Sequence, residues 1–203
     1  MHTAAVVAYG RLTQVPEDVW DKVIQTGVQG TANVCREALT QFESAGGGHL
    51  VVIGSVLGQV TTPLMSSYVT SKWAVRGLVR TLQQEARSTP GVHISLVSPG
   101  GIDTHIYTLA ATYAGWPGKP PPPVLTPEAV ARTVLDVVDR KRRDAAVGPA
   151  NWIMRLGFTV LPRVYDVLVG PLFSRLGLRS TPREANEGNV FRPSEQLPNH
   201  LER

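Results

Sequence analysis

Tyr68 and Lys72 stand four residues apart, and Ser55 lies thirteen residues before the tyrosine. If the segment from Ser66 is helical, the phenol and the ammonium fall one turn apart on one face. A phenol ordinarily ionises near pH ~10, and a cation within about 4–6 Å favours its phenolate. At an effective dielectric of about 20, two charges about 4 Å apart interact by roughly 4 kcal/mol. That coupling is expected to lower Tyr68 towards the range where general acid–base catalysis contributes roughly 10²–10⁴-fold.

The elements that must position these groups can also be read. Ser55 closes an apolar run whose centre, Leu50 to Ile53, has the character of a buried strand. A helix from about Ser66 to Arg87 carries Tyr68 and Lys72 at its start, with Val75, Leu78, Val79, Leu82 and Ala86 as its apolar stripe. Pro90-Gly91 stops it, and Val92 to Val97 reads as the next strand. Strand, helix and strand imply a right-handed parallel crossover. Ligands in such sheets bind at the carboxyl ends of the strands, so Ser55 and Pro99-Gly100 are expected to converge on one crevice.

On Ser55, Tyr68-x-x-x-Lys72 and Pro99-Gly100-Gly101-Ile102-Asp103-Thr104, the chain resembles the short-chain dehydrogenases/reductases. The resemblance implies an oxidoreductase that interconverts a carbonyl and an alcohol by hydride transfer with NAD or NADP. Tyr68 would exchange a proton with the substrate oxygen, Lys72 would tune it and hold the nicotinamide ribose, and Ser55 would orient the substrate. Tyr68, Lys72, Pro99, Gly100, Ile102 and Thr104 are the implied cofactor-binding positions. No metal ligands are assigned. The resemblance also implies a homodimer or homotetramer, with Trp73 packing, or facing a second subunit. The segment from His105 to Val124 would be the substrate loop; Tyr107, Tyr113 and Trp116 are candidates for lining an apolar pocket, and His105 reads as a polar loop residue.

Two family positions differ. The Asn-Asn-Ala-Gly stretch aligns with His2-Thr3-Ala4-Ala5, where His2 reads as a frayed terminal residue. A relay asparagine in the preceding helix is replaced by Gly27, which costs a helix roughly 1 kcal/mol relative to alanine. The resemblance covers roughly residues 3 to 150, the second half of the family's domain. The glycine-rich strand-to-helix turn that cradles the pyrophosphate does not occur in these 203 residues, so the chain is expected to be N-terminally incomplete.

The rest of the sequence fits one α/β core. At 203 residues and 42% apolar, a single domain is the expectation. A short strand is read at Ala4 to Ala8. Pro16 opens a long helix, with acids in its first turn and an apolar stripe through Trp20, Val23, Ile24, Thr31, Val34, Cys35, Ala38 and Phe42. Gly46-Gly47-Gly48 reads as a helix stop, because a phosphate loop needs strand before helix. Thr126-Pro127-Glu128 starts a further helix to about Lys141, and Ala145 to Gly148 is a last strand. The lone cysteine, Cys35, fits inert packing in a reducing compartment, and the expected location is cytoplasmic. The net charge of +4 comes from scattered basic residues, so no nucleic-acid partner is implied; no leader and no transmembrane span are read.

The predicted fold is therefore α/β: the C-terminal part of a Rossmann-like doubly wound parallel sheet in three α/β/α layers, plus a helical tail. Residues 1–150 form the partial domain and 151–178 an amphipathic helical extension. Residues 179–203, rich in Asn, Glu, Pro and Arg, read as a disordered tail. In the extension, Ile153, Leu156, Val160, Val164 and Leu168 recur at helical spacing. That stripe suits packing over the substrate pocket or against a partner; membrane-surface contact is the alternative. Beside the carbonyl/alcohol oxidoreductase stands a second functional reading, a non-catalytic subunit or ligand-binding relative.

Overall fold

The computed structural model describes residues 1–193; the expected tail from 194 to 203 lies outside the described residues. Three strands form a parallel sheet in the order β2 (Gly48–Ile53), β3 (Val92–Pro99), β5 (Asp144–Val147). Leu50 is in register with Ile94, and Val97 with Ala145. Alternation sends successive side chains to opposite faces, and here both faces are apolar. Leu50, Val52, Ile94 and Leu96 join Cys35, Val75 and Val79 in one core cluster. Val51, Val97, Ala145 and Val147 join Val137 in another. The first face is covered by α2 (Gly30–Ala45) and α3 (Ser66–Glu85), and the second by α5 (Pro127–Asp139). This is the three-layer arrangement expected of strands buried on both sides.

The helix ends follow their sequence signals. Gly46 adopts φ +76° at the end of α2, and the Gly46 and Gly47 N–H groups donate to the Phe42 carbonyl, the left-handed cap that glycine allows. Thr126 caps α5, its hydroxyl accepting from the Ala129 N–H at 3.3 Å. Cys35 is buried and burial pushes its thiol up, in keeping with packing.

Four readings change. The strand expected at Ala4 to Ala8 is only β1 (Ala8–Tyr9), which pairs in parallel with β4 (Ala111–Thr112). His2 is not frayed: it bridges Val52, its N–H donates to Val51 and its carbonyl accepts from Ile53. The helix from Pro16 is α1 (Glu17–Ile24) and α2 joined by a wider π turn at Gln25–Gln29, and Val34 points to solvent. Residues 179–193 do not trail away. Asn186 pairs with Thr112, and Val190 is buried against Val15, Val19 and Ala111. Their polar composition hid one apolar anchor and backbone groups that pair with β4.

The extension forms two helices, α6 (Ala150–Val160) and α7 (Pro162–Leu176), folded back on each other. Pro162 opens α7, where its missing N–H costs nothing, while Pro171 lies inside it. A short α4 (Ile106–Leu109) precedes β4 in the segment from His105 to Val124.

Candidate active site

Ser55 leaves the end of β2 in extended conformation, and its hydroxyl accepts the Leu57 N–H at 3.1 Å. That bond fixes the side chain at the carboxyl end of the strand. Tyr68 enters from the first turn of α3, where the Ser55 hydroxyl hydrogen-bonds to its phenol. Lys72, one turn on, is buried; its Nζ donates to the Ile53 carbonyl at 3.3 Å and lies 5.6 Å from the centre of the Tyr68 ring. The three residues picked by spacing therefore meet at the carboxyl end of β2.

The expected lowering of Tyr68 does not occur in the chain as it stands. Burial pushes its phenol up to about 12, the Ser55 hydrogen bond opposes this, and Tyr107 adds to it. Lys72 itself is pushed down to about 8 by burial. Desolvation disfavours the charged form of each group, and it is the largest cause of both shifts.

Behind Lys72 lies a polar chain that spacing did not reveal. The Thr31 hydroxyl donates to the Gly27 carbonyl at 2.6 Å, and His2 Nε2 lies 2.9 Å from the same hydroxyl. Because the Thr31 proton is already used, His2 must donate from Nε2. Burial, then the charges of Lys72 and the N-terminus, push His2 down, which favours its neutral ring. Gly27 sits where α1–α2 crosses α3. A Cβ there would approach Ser71 Cβ to 2.9 Å, so the asparagine the family places here has no room.

Ser55 and Tyr68 open into a cavity of about 190 Å³. Gly100 and Gly101 after β3 form part of its wall, and Gly101 is covered by Pro121 of the proline-rich loop. Of the expected cofactor positions, Pro99 is buried in β3, Ile102 bridges Leu125, and Thr104 is exposed; none lines the cavity. Among the loop aromatics Tyr107 lines it, whereas Tyr113 packs beside Val15 and Trp116 is largely exposed.

The roof is α6 and α7, through Met154, Tyr165, Val169 and Phe173. Asn151 ties it to the sheet: its amide donates to the Ser98 and Val147 carbonyls, both at 3.0 Å. The Tyr165 hydroxyl donates to the Thr61 carbonyl at 2.8 Å. Trp73 meets Phe158 of α6, with ring centres 6.1 Å apart. The Thr62 hydroxyl, also in the lining, is buried with no hydrogen-bond partner among the described residues. Asn151 and Tyr165 carried no sequence signal beyond helical spacing, since their partners are distant carbonyls.

A nicotinamide nucleotide finds residues here only for one end. Among the described residues Lys72 donates to one acceptor, the Ile53 carbonyl, which leaves ammonium protons for a ribose. Among the described residues no TGxxxGxG-type turn between a strand and a helix is present for the pyrophosphate.

Comparison with known proteins agrees with this geometry. The short chain dehydrogenase family matches residues 1–112. The mouse dehydrogenase/reductase SDR family member 4 is 34% identical over 101 residues, which are 50% of this chain and 36% of that protein. The chain thus spans little more than a third of that relative. An alcohol dehydrogenase from the archaeon Thermococcus sibiricus, solved with 5-hydroxy-NADP, superposes with a TM-score of 0.55 at 26% identity, over 70% of this chain and 58% of that one. A Burkholderia cenocepacia short chain dehydrogenase, solved with NADP, reaches a TM-score of 0.70 at 19% identity, over 82% and 68%.

Proposed function

Because the chain belongs to the short-chain dehydrogenase/reductase family, we propose that it interconverts a carbonyl and an alcohol on an apolar substrate, with NAD or NADP as hydride carrier. The observation that carries this is the meeting of the Ser55 and Tyr68 hydroxyls at one end of a cavity walled by Val7, Met65, Met154 and Phe173. An apolar body fills the cavity, and its one oxygen reaches the two hydroxyls. The nicotinamide, when bound, supplies or accepts the hydride; the chain's residues manage the oxygen and the proton.

In the reducing direction Ser55 donates to the substrate carbonyl and Tyr68 gives its proton to the developing alkoxide. A phenol held at about 12 stays protonated at neutral pH, so the site is set for proton donation. Lys72 lies close enough to the ring to stabilise the phenolate formed. In the His2–Thr31–Gly27 chain, the neutral histidine lies near enough to Lys72 to feel its charge.

A second reading is favoured by Gly27, where a Cβ would meet Ser71 at 2.9 Å and a relay asparagine would have to displace it. In it the cavity binds an apolar ligand without turnover. Incubating the chain with NADPH or NADH and a set of hydrophobic ketones separates the two. We expect NAD(P)H oxidation that Tyr68→Phe lowers by about 10²–10⁴-fold with an unchanged circular dichroism spectrum. Ligand binding with neither turnover nor nucleotide binding supports the second reading instead.

A further inference from the structure

The hairpin that roofs the cavity is apolar on both sides. Its inner face is Met154, Tyr165, Val169 and Phe173. Its outer face carries Trp152, Ile153, Leu156, Val160, Leu161, Val164, Val167, Leu168 and Leu172, all exposed, Val167 by 72%. The stripe read as packing over the pocket or against a partner, or as lying on a membrane surface, thus faces away from the pocket. A helix apolar all round belongs in a core or at a lipid phase, and a water-facing patch of this kind marks an interaction surface.

Charge decides which surface fits. Between Ala150 and Leu176 the charged residues are Arg155, Arg163, Arg175 and one acid, Asp166; all three arginines are exposed. Arg155 also sits near Arg76 on α3. Burial pushes Arg76 down, Asp144 opposes this, and Arg155 and Arg80 add to it. Tryptophan with aliphatic residues on one side and arginine as the main charge is the composition of a helix lying in a lipid interface. Helices of 11 and 15 residues are about 16 and 22 Å long, short of the roughly 30 Å hydrocarbon core. No helix among the described residues is long and apolar enough to cross a membrane. Leu172 both lines the cavity and is 55% exposed, so the outer apolar face runs into the cavity.

We propose that the α6–α7 hairpin lies flat on an anionic bilayer, its outer aliphatic face among the acyl chains and Arg155, Arg163 and Arg175 on lipid phosphates. The cavity mouth at Leu172 then faces the phase in which apolar molecules are dissolved. This attachment stands whether or not the site turns over.

Sedimentation of the full chain with vesicles tests it. The chain is expected to pellet with phosphatidylserine–phosphatidylcholine vesicles at low salt, with the Trp152 emission moving to the blue, a change that Trp152→Phe removes. Replacing Arg155, Arg163 and Arg175 together by Gln should weaken binding by about fivefold for each arginine. Val167→Glu with Leu168→Glu, both at exposed positions, should abolish it while the circular dichroism spectrum is kept. The proposal fails if the chain stays in the supernatant, or if neither set of substitutions changes partitioning. It also fails if light scattering shows a dimer that the two glutamates split and that vesicles do not disturb; a second copy would then cover the face.

Discussion

The floor and the roof of the cavity are built from different physics. The floor is polar and over-determined. Ser55 is held by a backbone N–H, Tyr68 by Ser55, and Lys72 by the Ile53 carbonyl, all at the end of a strand buried on both faces. The roof is almost wholly side-chain packing, tied down by Asn151 at one end and the Tyr165 hydroxyl in the middle. Chemistry that needs hydroxyls placed to within ångströms sits on the rigid element, and recognition of an apolar body sits on the element with few directional bonds. The lesson is a division of labour: the floor determines what can react, and the roof determines what can enter.

That contrast is sharpest at Lys72, where the floor buries a charge. Its pKa falls from 10.5 to about 8, so the folded state favours the neutral amine. The associated stability is full above the unfolded value, and is lost as pH falls through about 8, where both states become protonated. At neutral pH the buried ammonium should therefore cost about 3 kcal/mol. Lys72→Met should stabilise the chain by that order in urea melts at pH 7 and gain progressively less from pH 8 towards 10.5. An unchanged midpoint would mean the ammonium is better solvated than its burial implies.

Next in size is Gly27→Asn, which forces a side chain against Ser71. Overpacking of this kind costs about 1–3 kcal/mol, and pairing it with Ser71→Gly should recover much of the loss in thermal melts. The smallest effect is expected in the roof. Tyr165→Phe removes one hydrogen bond to Thr61, worth about 1 kcal/mol. Its signature should be faster hydrogen exchange confined to α6 and α7, with the sheet unaffected. Slowed or unchanged exchange there would erase the distinction drawn between floor and roof.

Much of the floor was legible because its information is local. The four-residue step from Tyr68 to Lys72 is one helical turn, and Ser55 ends a strand that its apolar run announces. Gly46 and Thr126 marked helix ends for the same reason, since a cap needs only its neighbours. The family resemblance rested on those local signals, and the parallel α/β sheet followed.

His2, Asn151, Tyr165 and Val190 were not legible. Their partners are Thr31, Ser98, Thr61 and Val15, each brought near only by the packed sheet. The same limit applies to ionisation. Spacing placed a cation beside a phenol and so predicted a lowered Tyr68, but desolvation depends on everything that surrounds the pair. Periodicity likewise showed one apolar stripe in a helical extension and could not say which side would face the cavity, because the other sides carry apolar residues too. By itself the sequence determined which groups share a turn or end a strand; the tertiary structure decided how dry they are and which face meets solvent, because burial is a property of distant neighbours.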